Sequence, residues 1–296
     1  MRRRRETIVR MGKIVGAVRS AVSSSSSAVG PLVQYWRKAR NLSQLALAAE
    51  AEVSPRHLCF IETGRAAPSR DMVLHLAEAL RVPLRERNAL LLAAGYAPMF
   101  VESSLDDPSL AAVRSAVNAI LRQQEPYPAV VMNRRWNIVD SNAAAASFFK
   151  RALGGREAGD IGSDVPNVLR LMFHPDGLRP SVANWEAVGP ALIQRVHREA
   201  AGGVVDDETR ALLEEVLAYP GVPKAWRSPD PRVTLTPVLP VTFVVDGITF
   251  NYFSAVTVLG TALDITLQEL RIESFFPCDE ATADAARAFA STSRTY

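Results

Sequence analysis

Leu42-Ser43-Gln44-Leu45-Ala46, then Val53-Ser54-Pro55-Arg56-His57-Leu58-Cys59-Phe60-Ile61-Glu62-Thr63-Gly64-Arg65, then Pro68-Ser69: these stretches decide how the chain is read. Ser43, Ser54 and Ser69 each precede a helical pattern, where a hydroxyl can accept a hydrogen bond from an orphan N–H of the first turn. Pro55 takes the first helical position, which tolerates a missing N–H. Leu58 and Ile61 share the inner side of that helix, and Gly64 suits the residue that closes it. A shorter helix with Leu45, Ala46, Ala48 and Ala49 comes before it, and Ala48 is small where the two must cross closely.

Outward from this pair the pattern stays helical. Leu32, Tyr35, Trp36 and Ala39 are spaced i, i+3, i+4, i+7 and form one apolar face. Ser69 caps a fourth helix with Val73, Leu76, Ala77 and Leu80, and a fifth follows Pro83 with Leu84, Leu90, Leu91 and Leu92, ending at Gly95. Residues 30–98 thus predict a compact all-α domain of five short helices. Residues 1–29 carry the basic run Arg2–Arg5 and the run Ser23–Ser27 and read as a solvated tail. Residues 99–109 read as a linker, and 291–296 as a C-terminal tail.

Residues 110–290 predict an α+β domain. Ala129–Met132 and Trp136–Asp140 are short apolar segments split by Asn133-Arg134-Arg135, a hairpin pattern. Helical patterns follow at Asn142–Lys150, Val165–Phe173, Val182–Ala200 and Asp207–Leu217. Val233–Val245, Ile248–Val258 and Leu263–Ile272 then read as a meander of strands, with a type I′ turn at Asp246-Gly247. Two strands, several helices and three strands fit a PAS-like sheet with helices over one face.

Composition narrows the function. Of the 296 residues, 48% are hydrophobic and 22% charged, which suits at least one sizeable core. No run of 18 apolar residues is free of charge, so no membrane partner is expected. Cys59 and Cys278, outside any CxxC pair, make neither a disulfide framework nor a zinc site and favour a reducing cytoplasm. Residues 1–29 hold 7 Arg and Lys against 1 acid, residues 30–98 hold 9 against 6, and residues 99–296 hold 18 against 24. A basic front and an acidic rear direct only the front toward a polyanion.

Residues 42–69 resemble the helix-turn-helix of lambda-repressor-like transcription factors. The resemblance implies that the third helix enters a major groove, which is wide enough to admit it. Ser54, Arg56, His57 and Phe60 are then the candidates for base readout, with Arg56 suited to a guanine edge and Phe60 to a thymine methyl. Core packing is the other reading of Phe60. Gln44, at the start of the second helix, is a candidate for holding a phosphate, and Arg65 and Arg70 for touching the backbone. Glu62 would be repelled by DNA and is expected to pair with Arg37 or Arg40. Similar sequences carry glycine in the turn where this chain has Glu52, a substitution that costs about 1 kcal/mol if φ is positive there.

The resemblance extends further. Pro83-Leu84-Arg85-Glu86-Arg87-Asn88, Glu125-Pro126-Tyr127-Pro128-Ala129, Arg135-Trp136-Asn137-Ile138-Val139, Asn167-Val168-Leu169-Arg170-Leu171, His174-Pro175-Asp176-Gly177-Leu178 and Glu273-Ser274-Phe275-Phe276-Pro277 are similar to the MmyB-like regulators over roughly residues 30–290. This implies a bacterial XRE-type, dimeric regulator that binds double-stranded operator DNA and senses a fatty-acid-like apolar ligand through its PAS-like rear domain. Trp136, Phe148, Phe173, Trp185, Phe250 and Tyr252 are read as ligand wall or as plain core. Asn142, Arg170 and Asn184 are candidates for anchoring a polar head. Dimerisation or protein interaction alone is the alternative role for that domain.

An enzyme is not expected. The sequence has no HExxH, no GxSxG, no phosphate loop and no dinucleotide fingerprint. His174 and Asp176 alone make a capped turn rather than a metal site.

Overall fold

The computed structural model describes residues 28–162, 164–201, 207–227, 238–260 and 263–293. The chain forms two compact units, divided in the main between Glu102 and Ser103. The basic and serine runs of the tail, residues 233–237 of the expected strand and the last three residues lie outside the described residues.

The front unit has five helices: α1 (Val29–Ala39), α2 (Gln44–Glu50), α3 (Pro55–Glu62), α4 (Arg70–Ala79) and α5 (Leu84–Ala93). The hydroxyls of Ser43, Ser54 and Ser69 accept from Ala46, His57 and Met72 N–H at 3.0, 3.1 and 3.2 Å. α1 starts at Val29, one residue inside the stretch read as tail, because Val29 is buried against the core. On α2 the buried pair is Leu47 and Ala48, while Leu45 is 67% exposed, so the apolar side lies two residues later than the sequence suggested.

All five helices close in the same way. The residue two past each helix end has positive φ: Asn41 (56°), Glu52 (49°), Gly64 (73°), Arg81 (49°) and Gly95 (86°). Its N–H reaches the carbonyl three residues back, and the next N–H reaches five back, as in Val53 N–H to Ala48 O at 2.9 Å and Arg65 N–H to Phe60 O at 2.8 Å. These bonds satisfy the carbonyls that a helix end leaves open. Glu52 therefore does stand in the left-handed region.

Two features fix α3. A Cβ on Gly30 would lie 2.5 Å from Ile61 O and 2.7 Å from Glu62 O, so only glycine lets α1 cross the end of α3. The Arg37 guanidinium grips both Glu62 carboxylate oxygens at 2.6 and 2.8 Å, with the Glu62 side chain 1% exposed. Arg40 instead donates to the carbonyls of Leu80 and Arg81. Met99–Glu102, read as linker, is tied to α5: Asn88 Oδ1 accepts from Met99 and Phe100 N–H at 2.9 and 3.0 Å, and Arg85 pairs with Glu102.

The rear unit contains α6 (Ala111–Gln124), β1 (Ala129–Met132), β2 (Ile138–Ser141), α7 (Ala143–Ala152), α8 (Val168–Phe173), α9 (Trp185–Ala201), α10 (Asp207–Val216), β3 (Val241–Val245), β4 (Ile248–Val258), α11 (Ile265–Glu269), β5 (Arg271–Pro277) and α12 (Glu280–Ser293). The strands form one antiparallel sheet in the order β2-β1-β5-β4-β3, the α+β, PAS-like arrangement expected. Asp246 and Gly247 make the β3–β4 turn with φ of 52° and 77°, as a type I′ turn requires.

Three expectations are corrected. Leu263–Ile272 is mostly the short helix α11, and the last strand is Arg271–Pro277, whose register pairs Ser274 with Ala129 and Ala255. Helices cover both faces of the sheet: Val117 and Leu121 of α6 pack on Ala129, Val131 and Ile272, while Val130, Met132, Phe250 and Tyr252 face the main core. This explains why all four residues of β1 are buried and apolar. Finally, α12 runs through Ser293, where a tail from residue 291 was expected, because Ala283, Ala286 and Phe289 are buried along it.

Candidate functional site

On α3, a turn of 3.6 residues places Leu58, Ile61 and Glu62 on the buried side and Arg56 and Phe60 on the side opposite. Arg56 is exposed and its guanidinium lies 5.4 Å from the centre of the Phe60 ring, over its face. Phe60 is half-buried and is not among the side chains grouped with the front core. His57 is half-buried on the flank of the same face, and Ser54 is exposed at the helix start, its hydroxyl accepting the cap bond.

Arg65 and Arg70 are exposed beyond the two ends of the turn that follows. Among the described residues, Arg56, Arg65 and Arg70 make no ion pair, whereas Arg37, Arg85 and Arg87 are paired with Glu62, Glu102 and Glu78. Three of the front unit's cations without an acidic partner therefore lie on or next to α3 and at the start of α4. Gln44 Nε2 donates one N–H to Glu62 Oε2 at 3.0 Å, which joins α2 to the buried Arg37–Glu62 pair and leaves the second N–H of the amide uncommitted. The hydrogen bond it donates to Glu62 holds the Arg37 guanidinium above its ordinary range.

The rear-domain candidates separate into groups. Phe148 makes edge-to-face contacts with Phe243, Phe250 and Tyr252 at 5.2, 5.3 and 6.1 Å and meets Phe289 at 6.1 Å. The gap left between these rings and α12 is about 10 Å³, room for no more than a water. Burial raises the Tyr252 phenol, which stays protonated. Trp136 is 1% exposed, has φ of 66°, and lies against the guanidiniums of Arg195 and Arg271 at 4.7 and 5.8 Å.

The three expected head-group anchors are committed to the fold. Asn142 uses its whole amide: Oδ1 accepts from Ala129 and Ala145 N–H, and Nδ2 donates to Leu121 and Tyr127 carbonyls. It caps α7 and locks β1, and no group remains for a ligand. Asn184 bonds the Thr242 N–H and the Pro240 carbonyl. Arg170 forms a two-pronged pair with Glu215 at 2.8 Å for each bond, and Tyr219 donates to the same carboxylate at 2.5 Å. Arg170 keeps Glu215 below the usual carboxylate range, and burial, with Glu215 beside it, pushes Tyr219 up to about 12.

Trp185 differs from these. It borders an open groove of about 280 Å³ with Pro175, Arg179, Pro180 and Pro220, and Phe173 backs it at 4.9 Å. Arg179 lies over the Trp185 ring at 5.3 Å and donates to the carbonyls of Pro220 and Gly221, with no acidic partner among the described residues. Two glycines make this possible. A Cβ on Gly221 would lie 2.5 Å from the Arg179 guanidinium, and one on Gly189 would lie 2.5 Å from the Trp226 ring behind Trp185.

Sequence reasoning missed Arg179 because its partners are main-chain carbonyls some forty residues later, which leave no side-chain signature. It also missed Glu273, a buried carboxylate on the central strand that accepts from Ser254 Oγ at 2.6 Å and faces Arg195 at 3.6 Å. His197 is half-buried with Nε2 unpartnered among the described residues, and burial lowers its basicity. His174 accepts from Asp176 N–H in a turn. Among the described residues no three His, Cys, Asp or Glu side chains are placed to hold a metal, and no helix is long and apolar enough to cross a membrane.

Comparison with known proteins adds two family matches. The MmyB-like transcription regulator ligand binding domain matches residues 113–289, and the helix-turn-helix family matches residues 33–87. No curated protein matches the chain. Among solved structures, that of an RNA-binding light-oxygen-voltage receptor is similar over 95% of this chain and 66% of its own, at 12% identity and a TM-score of 0.23, too low to bear on the fold.

Proposed function

The chain belongs to the MmyB-like transcription regulators, and from that premise we propose that α3 reads a specific operator while the groove beside Trp185 takes the ligand. A helix-turn-helix domain joined to a regulator's ligand-binding domain supports a ligand-responsive transcription regulator. The observation that carries the DNA reading is the face of α3, where exposed Arg56 and half-exposed Phe60 stand opposite the buried side, flanked by the unpaired Arg65 and Arg70. Two copies of the chain, in the cytoplasm at the nucleoid, would read half-sites one helical turn apart, about 34–36 Å, or a multiple of it.

For the ligand, Trp185 and the prolines supply an apolar wall, and Arg179 supplies a positive charge to a carboxylate, which suits a fatty-acid-like molecule. The volume lies near the lower end for small-molecule sites. The ligand must bind two arrangements of the regulator with different affinity, or it shifts nothing. The filled aromatic cluster around Phe148 favours a second reading, in which the rear domain serves only dimerisation or protein interaction.

Selection from random duplexes by the full-length chain tests the first claim: a recurrent two-fold symmetric site is expected, and an unstructured pool would contradict it. Adding lauric acid to the selected complex tests the second. Altered operator affinity that Arg179→Gln abolishes supports the groove. An unaltered affinity favours the dimerisation reading, and a response that survives the substitution places the ligand elsewhere.

A further inference from the structure

Resting on the reading of α3 as the groove-borne helix, we propose that Arg56 and Phe60 act as one unit that reads a guanine together with the C5-methyl group of a pyrimidine in the neighbouring base pair. The operator's affinity then depends on that methyl group, and a cytosine in the thymine position is bound well only when 5-methylated.

Three observations converge. Arg56 and Phe60 are one helical turn apart at the centre of the outward side of α3, whose other side buries Leu58, Ile61 and Glu62. Phe60 is half-buried and is not among the side chains grouped with the front core, and its ring carries the guanidinium of its neighbour Arg56 over its face. Arg56 makes no ion pair among the described residues, so its donors face outward uncommitted.

A guanidinium that grips guanine O6 and N7 lies in the plane of that base. The cation is over the face of the Phe60 ring, at 5.4 Å from its centre. The ring therefore lies off the guanine plane, at the height of an adjoining pair, because pairs are stacked about 3.4 Å apart. At that height the major groove presents one apolar group, the thymine methyl; adenine, guanine and cytosine present polar atoms or a bare C5–H. The stack also limits the freedom of Arg56, since the ring attracts the cation.

The test uses the full-length chain and an operator selected from random duplexes. The operator is expected to hold a thymine in the pair next to the guanine that Arg56 protects. Replacing that thymine by uracil removes only the methyl group and should weaken binding about fourfold. Cytosine and 5-methylcytosine at the same position should differ by a similar factor. Phe60→Ala, at a site outside the core, should bind the thymine and uracil duplexes equally. Wild-type protein that binds both equally, an operator without the thymine, or discrimination that survives Phe60→Ala overturns the proposal while leaving α3 as the reading helix. Failure to enrich any operator overturns both.

Discussion

Phe60 in the front domain and Phe148 in the rear are each read from the sequence as either a contact to a partner or core, yet their surroundings differ in kind. Phe60 is half-exposed, touches Arg56 and lies outside the core. Phe148 is 3% exposed and meets five other aromatic rings. The same contrast holds for the polar and charged residues. Arg56, Arg65 and Arg70 are left over from folding, whereas Arg170 and Asn142 are consumed by it. A helix of eight residues needs one side to pack and has the other to spare. A sheet with helices packed on both faces has less to spare.

The largest expected effect breaks this comparison if it fails. Phe148→Ala should cost about 3–5 kcal/mol in urea denaturation of the rear domain, as truncation of a packed aromatic does. Phe60→Ala should change front-domain stability by no more than about 0.5 kcal/mol. Equal losses would mean that the two rings play the same part. Next, Gly30→Ala forces a methyl group into the carbonyls of Ile61 and Glu62 and should destabilise the front domain by about 1–3 kcal/mol in thermal melts. It leaves the outward side of α3 untouched, so sequence preference should persist in whatever fraction folds; a shifted preference would tie specificity to the α1–α3 crossing. The smallest effect is a gain. Glu52→Gly relieves a side chain held at φ of 49° and should stabilise the same domain by about 1 kcal/mol, with a higher melting temperature. An unchanged or lower melting temperature would mean that Glu52 has a compensating contact.

The front domain was legible because its signals are local. Serine caps, Pro55 and Gly64 sit within a few residues of the bonds they make, and Leu58 and Ile61 repeat at helical spacing. Even the departure at Glu52 could be read, since the turn demands a left-handed residue whatever stands there. The rear domain was legible as a fold class from the order of its strands, but not as a site. Glu273 is ringed by Ser254, 19 residues away, and Arg195 from another element. Arg179 is held by carbonyls, which every residue has. Leu263, Ile265 and Leu267 alternate as a strand would, yet α11 forms there and the strand begins at Arg271. Asn142 reads from the sequence as a head-group anchor, but its four bonds to the protein are invisible until the fold brings Leu121, Tyr127 and Ala129 around it.

The claim on which the rest depends is that the outward side of α3 recognises sequence, and one titration tests it most directly. Wild-type and Arg56→Ala proteins, both checked for intact helix content, are titrated against the selected operator and a scrambled duplex at one fixed salt concentration. Loss of a guanine contact should weaken operator binding at least about fivefold beyond any loss on scrambled DNA. Operator affinity left unchanged in the folded variant, or lost equally on both duplexes, would contradict the account.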